Sequence, residues 1–396
     1  MGELSRCDVL VVGAGPAGSM AAARTASAGI PTLLIDAKRR IGAPPHCGEF
    51  VPARIFAEFD ISRSPIIQKI LNMETVILDK DAIRAPQGES SAQDCNRVDD
   101  LPLGLSTAAP PTQTPSPGFM IDRVRFDREL AHRAAQQGAT VLCDTKLIAK
   151  DGDQWALRKG AMVWSVKPRR VIAADGAAST VARLLRLPPQ KFQIGVQVEV
   201  PLVQPSSNTV VFLHKSFVGG YGWVFPKGLA ANVGVGVEPR PEARPWAVLR
   251  AFVEYLQRRH IIRRGVLATS CGLIPVSGPR PSLFSQNVLF CGDAAGLTHP
   301  ITGAGVSQAL ISGDLAGRLI AAAITGGAAD AAEAYDAEMK KHFGNVLQHA
   351  LSKRRDMTTR WDRCDFEALC RDCWIAYKGY KKRIARAKNP AEEIHA

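Results

Sequence analysis

Residues 8–36 read DVLVVGAGPAGSMAAARTASAGIPTLLID, and this stretch decides the fold. The apolar run at 8–12 ends in glycine, residues 17–28 are Ala-rich and helical in character, and TLLID at 32–36 is a second strand. Strand, turn, helix and strand in that order open a doubly wound α/β fold. Within the turn, Gly13-Ala14-Gly15-Pro16-Ala17-Gly18 forms a GxGxxG pattern. Gly13 permits the tight turn, Gly15 lets the backbone approach a pyrophosphate, and Gly18 lets the helix pack on the strand. The N–H groups and dipole at the helix start favour phosphate charge. Asp36 ends the next strand, where a ribose-hydroxyl partner belongs.

That much fits NAD or FAD equally. Two later turns bear on the choice. Ala174-Asp175-Gly176 follows the strand RVIAA (170–174), and CGDAAGLTHPITGAG (291–305) follows the strand QNVLFC and opens a Gly/Ala-rich helix. Asp293 can accept from ribityl hydroxyls. Gly303 and Gly305 leave N–H groups at a helix start, where the dipole favours negative charge on a reduced flavin. GxGxxG first, a central DG and then a late GD together resemble the flavoproteins built like aromatic hydroxylases. FAD is therefore the expected cofactor.

From 193 to 237 the pattern changes to the alternating strands QIGVQVEV, NTVVFLH, YGWVFP and ANVGVGV, as in an antiparallel sheet. The expected fold is α/β: a Rossmann-type FAD-binding domain, a second antiparallel β-sheet substrate domain and a C-terminal helical tail. The FAD-binding domain is expected in three parts, 1–80, 119–186 and 271–335. The substrate sheet covers 187–270, with a surface excursion at 81–118 ending in the Pro-rich run TAAPPTQTPSPG. A basic helical region covers 336–396.

Two further segments, IGAPPHCGEFVPARIF (41–56) and YGWVFPKGLAANVGVGV (221–237), are similar to the geranylgeranyl reductase family, and the resemblance spans most of residues 5–320. It implies an FAD enzyme that reduces double bonds of a prenyl chain, with NAD(P)H or another reduced donor supplying electrons. By position it implies flavin contacts at Ala17, Asp36, Cys47, Gly48, Arg123, Leu147, Asp293, Gly305 and Val306, with Tyr221, Trp223, Phe225 and Pro226 facing the substrate. The excursion at 81–118 and the tail after about 340 fall outside it.

Independently of the family, Tyr221 and Trp223 alternate on a strand and share one face, as an apolar or aromatic substrate or sheet-core packing would require. Cys47, between His46 and Gly48, reads as a residue over the flavin or as a small residue in a tight turn. Cys47, Tyr221 and Trp223 are the catalytic candidates. His46 and His299 read equally as donors to flavin or substrate and as loop histidines in solvent. Cys370-x-x-Cys373 with Cys364 supplies too few ligands for a structural zinc site, so no metal is expected.

The net charge is +13. From Lys340 to Lys388 there are 14 Lys/Arg against 5 Asp/Glu, a net of +9. This block reads either as a solvated helical tail or as a surface for a membrane or an acidic protein; no nucleic-acid partner is expected. Nine irregularly spaced cysteines, no signal-peptide pattern and no apolar run of membrane-spanning length suggest a cytoplasmic protein, free or peripheral to the inner membrane surface. Two other functions fit the same motifs: a flavin monooxygenase hydroxylating an aromatic group, its substrate a peptide or a carrier-bound group, and a non-catalytic flavin-binding partner protein.

Overall fold

The computed structural model describes residues 7–83, 107, 110–241, 243–326 and 331–382. Strands β1 (Val9–Val12) and β2 (Thr32–Ile35) flank helix α1 (Pro16–Ser27). β3 (Phe50–Pro52), α2 (Arg54–Glu58) and the long β4 (Ile66–Ile77) follow. β5 (Thr112–Ile121) runs into α3 (Arg123–Gln136) and β6 (Thr140–Leu142). A meander, β7 (Lys146–Asp151), β8 (Gln154–Lys159) and β9 (Met162–Val166), precedes β10 (Arg170–Ala173) and α4 (Thr180–Leu184). Then come β11 (Phe192–Pro201), β12 (Asn208–Leu213), β13 (Gly222–Lys227), β14 (Ala230–Val237), α5 (Pro245–Arg258) and β15 (Ala268–Pro275). β16 (Phe284–Ser285) and β17 (Val288–Phe290) lead to α6 (Val306–Gly326), α7 (Ala331–Arg360), α8 (Phe366–Cys373) and α9 (Lys378–Lys382).

One sheet has the order β16-β17-β10-β1-β2-β6 and is parallel apart from the β16 edge. Its strands VLVV, TLLI and VLF are buried throughout, as a sheet covered on both faces requires. Trp155, Leu157 and Val166 of the meander join this core. Helices α1 and α6 pack backbone to backbone. A Cβ on Gly313 would lie 2.1 Å from the Ala17 carbonyl oxygen, and one on Gly317 would lie 2.6 Å from that of Ala21. Helix α6 is long and apolar enough to cross a membrane, with a mean hydropathy of 1.3, but half of that window is buried inside the protein. The α1 contact marks it as a core helix.

The second sheet has eight strands in the order β15-β11-β14-β13-β12-β4-β5-β3 and is antiparallel except where β12 meets β4. Its strands come from more of the chain than the span 187–270. β3 and β4 lie within 1–80, β5 begins at Thr112 inside the expected excursion, and β15 continues past 270. Thr112–Gly118 is thus corrected from a loop to a strand, paired with β4 and β3 despite Pro115 and Pro117. The two prolines lie before the β3 pairing begins at Gly118, where β5 is the edge of the sheet and beside a register shift against β4, so a missing N–H is tolerated. Most of the remaining excursion, 84–106 and 108–109, lies outside the described residues.

The period of two divides the eight-stranded sheet into two unlike faces. Val196, Val198, Val224, Val233 and Val235 pack under Phe252, Tyr255 and Leu256 of α5. The opposite face of β11 carries Gln193, Gly195, Gln197 and Glu199, and that of β14 carries Asn232, Gly234 and Gly236. Beyond it, Val211 and Leu213 of β12 pack with Trp361, Trp374, Tyr377 and Tyr380. This corrects the picture of a solvated tail: α7 to α9 form part of the core. Lys353 and Arg354, counted in the basic block, are themselves buried. Residues 383–396 lie outside the described region.

Candidate functional site

The polar, glycine-bearing sheet face carries the segment His46–Glu49. Gln197 donates to the Cys47 carbonyl at 3.0 Å, and Trp223 Nε1 donates to the other end of the same amide, Gln197 Oε1, at 3.1 Å. The Trp223 ring lies over Gly234, where a Cβ would sit 2.2 Å from it. Gly48 rests on Phe225, a Cβ there coming within 2.8 Å of the ring. Asn232 donates to the Gly48 carbonyl at 3.2 Å and to Glu49 Oε2 at 2.7 Å. Lys227 Nζ bridges Glu49 at 2.6 Å and Glu199 at 3.1 Å. Burial opposes the Lys227 charge, but the two carboxylates outweigh it and raise its pKa.

The Cys47 sulfur accepts from the Glu49 N–H at 3.2 Å, and it lies close enough to the Arg123 guanidinium to favour that charge. Arg123 begins α3, where its N–H donates to Glu49 Oε1 and its guanidinium is forked onto Asp127 at 3.0–3.1 Å. Burial works against the guanidinium charge, and Asp127 with Cys47 overcomes it, holding the Arg123 pKa above its ordinary value.

Tyr221, just before β13, stacks edge-on against Trp223 and lies 5.0 Å, centroid to centroid, from Trp374 of the C-terminal helices. Its hydroxyl donates at 2.5 Å to the Thr302 carbonyl. Tyr221 and Trp223 thus share a face, as their alternation requires, and both hold main-chain or amide partners. The loop 299–305 is pinned from two more directions: Arg354 of α7 donates to the Pro300 carbonyl at 3.2 Å, and Tyr380 of α9 lies 3.4 Å from His299 Nε2. His299 Nδ1 accepts from the Thr302 N–H at 3.2 Å, which requires that nitrogen to be unprotonated. Burial, with His349 nearby, lowers the His299 pKa to about 4. His299 is therefore no solvent histidine. His46 is also partly buried, its Cβ 3.0 Å from where a Cβ on Gly272 would be.

The fit of a dinucleotide can be read from the three glycines. A Cβ on Gly13 would strike Ala174 at 2.3 Å and one on Gly18 would strike the Gly13 carbonyl at 1.8 Å, whereas one on Gly15 would meet nothing within 4 Å. Gly13 and Gly18 are required by the protein's own packing. Gly15 faces open space at the start of α1, where a pyrophosphate would approach. Asp36 accepts from the Ala14 and Lys38 N–H groups, both at 2.8 Å, and so closes the turn. At the other end, Asp293 accepts from the Thr298 hydroxyl at 2.5 Å, and a Cβ on Gly305 would lie 3.1 Å from its carboxylate. Burial raises the Asp293 pKa against the pull of Thr298 and Arg123. Val306 begins α6, whose first N–H groups have no intrahelical partner.

Two candidates are placed differently. The Asp175 carboxylate accepts from the Ser179 hydroxyl and the Val181 N–H. It caps its own turn, while the neighbouring Ala174 carbonyl seats Gly13. Leu147 is buried in the core of the parallel sheet. Cys370 and Cys373 are buried beside Leu213, Met357 and Trp374 around a small apolar cavity. Among the described residues no group of three or more His, Cys, Asp or Glu is arranged to hold a metal.

An open glycine turn at the start of α1, a buried Asp293 ahead of α6 and a second, antiparallel sheet are the build of an FAD-dependent oxidoreductase of the aromatic-hydroxylase-like fold. The FAD-binding-domain family model matches residues 6–45, and the lycopene cyclase family model matches residues 239–363. The digeranylgeranylglycerophospholipid reductase of Methanocaldococcus jannaschii is 31% identical over 401 residues, covering 96% of this chain and 95% of that protein. The solved structure of a geranylgeranyl bacteriochlorophyll reductase-like protein from Thermoplasma acidophilum superposes with a TM-score of 0.75 at 24% identity, over 94% and 91% of the two chains. Aklavinone-11 hydroxylase, solved with FAD and aklavinone, shares the fold with a TM-score of 0.64 at 17% identity, over 90% of this chain and 71% of that one. The chain belongs to the geranylgeranyl reductase family.

Lys227 and Asn232 lie within the 221–237 segment and Gln197 within QIGVQVEV, but none of the three is among the expected site residues. Their signal was a polar residue at an inward position of an otherwise apolar strand.

Proposed function

We propose that this protein reduces carbon–carbon double bonds in the isoprenoid chains of a membrane lipid. The observation that carries this reading is the Cys47 segment laid across the Trp223–Phe225 face, with the thiol in reach of Arg123. An aromatic face suits an apolar chain, and the reductase relatives act on lipids by name. FAD, when bound, supplies the hydride. Gly15, Asp36, Asp293, Gly305 and Val306 are the residues we assign to hold it, with Ala17, Gly48 and Arg123 around them.

Reduction of an alkene also needs a proton at the second carbon. Cys47 is the donor we assign: its Sγ–H bond breaks, a C–H bond forms, and a thiolate remains. The Glu49 N–H holds that sulfur in place, with Arg123 beside it. Tyr221 and Trp223 hold the flanking segments and face the chain. NAD(P)H or another reduced donor would supply the electrons for each turnover.

The test is conversion of a geranylgeranylated glycerophospholipid by dithionite-reduced, FAD-loaded enzyme under argon. Mass spectrometry should show two added hydrogens per double bond, and Cys47→Ala should abolish the gain. Absence of conversion, or entry of labelled oxygen into product under air, would overturn the reading.

A further inference from the structure

One end of the eight-stranded sheet is apolar where a soluble surface would be polar. Leu229, at the tip of the β13–β14 turn, is 78% exposed, and Val266 and Leu267, ahead of β15, are 56% and 62% exposed. Ile67 and Leu71 on β4 are exposed as well. These residues lie on one rim, connected by backbone pairing. The Leu229 carbonyl accepts from Leu202 N–H, Leu267 N–H donates to Glu199, and Arg263 N–H donates to Pro201. Gln68 bridges the Gly228 N–H to the Ser206 carbonyl, and Leu71 N–H donates to Ser207.

Basic side chains alternate with the apolar ones. Lys69 stands between Ile67 and Leu71 on the exposed face of β4, and Arg263 and Arg264 precede Val266 in a stretch exposed from 263 to 269. Glu199, the acidic residue at this rim, is paired with Lys227. Single exposed leucines are ordinary, but a contiguous apolar rim edged by cations is not. Apolar tips inserting beside cations that contact headgroups are the signature of an interfacial membrane site. The rim is also two ion pairs from the Cys47 segment, Glu199–Lys227 and Lys227–Glu49.

We infer that this rim is the membrane-docking surface of the protein and that it seats on an anionic lipid bilayer. It rests on the reductase reading only in explaining why a lipid-active site would open there; the binding itself is independent of turnover.

The experiment is sedimentation of the full-length holoprotein with vesicles of equal parts phosphatidylglycerol and phosphatidylcholine, which contain no isoprenoid. Wild type should bind these and not pure phosphatidylcholine. Leu229→Ser with Leu267→Ser should lower the affinity at least about tenfold. Arg263→Glu with Arg264→Glu should lower it similarly and flatten its salt dependence. All forms should keep their flavin absorbance and denaturation midpoint. Unaltered binding in both double variants, loss of binding only when 383–396 is removed, or no binding by wild type would each overturn the inference. So would a wild-type dimer that the leucine variant converts to monomer without any vesicle binding. Failed lipid reduction with intact vesicle binding would count against the proposed activity alone.

Discussion

Trp223 and Cys47 are joined through one amide: the indole N–H donates to Gln197 Oε1, and Gln197 Nε2 donates to the Cys47 carbonyl. The aromatic of the strand motif therefore sets the position of the thiol segment more than 170 residues earlier in the chain. Trp223→Phe keeps the ring over Gly234 but leaves a buried amide oxygen without its donor. The expected loss is about 1–3 kcal/mol of stability and a larger fall in turnover than in FAD content. Denaturant midpoints and single-turnover rates on one preparation check both; turnover unchanged in the variant would show that the clamp does not position Cys47.

The three glycines of the first turn should fail in different ways. Gly18→Ala drives a Cβ into the Gly13 carbonyl and should destabilise the protein even without cofactor, by about 1–3 kcal/mol or more. Gly15→Val meets no protein atom, so the apoprotein should unfold at its wild-type midpoint while FAD affinity falls at least about tenfold, roughly 1.4 kcal/mol. Calorimetry of apoprotein and fluorescence titration with FAD distinguish the two cases. A destabilised Gly15→Val apoprotein would contradict the open cradle.

Asp293→Ala removes the acceptor of the Thr298 hydroxyl and a carboxylate beside Gly305. The ratio of flavin to protein absorbance after purification should drop well below wild type, with Asp293→Asn intermediate. Undiminished flavin content in Asp293→Ala would put the ribityl side elsewhere.

His299 gives a pH signature. Its folded-state pKa is about 4 against an ordinary value of 6.5, so between those values the unfolded chain binds the extra proton. Stability must then fall as pH drops from about 6.5 toward 4 and level off below, by about 2–3 kcal/mol allowing for partial exposure. Asn at 299 can still accept the Thr302 N–H without titrating. His46 and His214 are also lowered by burial, so the informative quantity is the difference between wild type and His299→Asn, which should open up only in that window.

The C-terminal helices should behave as core. Trp374 is buried and donates to Thr75 Oγ1 at 3.1 Å. Trp374→Ala should cost about 3–5 kcal/mol, measured by chemical denaturation. A loss under 1 kcal/mol would return this region to the status of an appendage.

What could be read in the sequence was what backbone geometry fixes locally. Gly13 to Gly18, the strand-ending Asp36 and the late Gly292-Asp293 turn needed no knowledge of partners. The docking of His46–Glu49 was not legible in that way, because its partners come from β11, β13 and β14 and are ordinary Gln, Lys and Asn side chains. The basic block misled for a related reason. Counting charge treats Lys353 and Arg354 as solvated, yet Lys353 donates to the carbonyls of Asp372 and Gly379, and Arg354 to Pro300. The recurring aromatics Trp361, Trp374, Tyr377 and Tyr380 were the better guide to that segment.

The glycines of α6 have a mechanical meaning. Gly313 and Gly317 bring the helix that starts at the flavin-side loop against the main chain of the helix that starts at the phosphate turn. The Arg24–Asp314 ion pair at 2.6 Å ties the same two helices together. The spacing of the two helix starts proposed to hold the cofactor is therefore set like the jaws of a fixed gauge. Any adjustment to the proposed substrate then falls to the eight-stranded sheet with its hydrogen-bonded thiol segment.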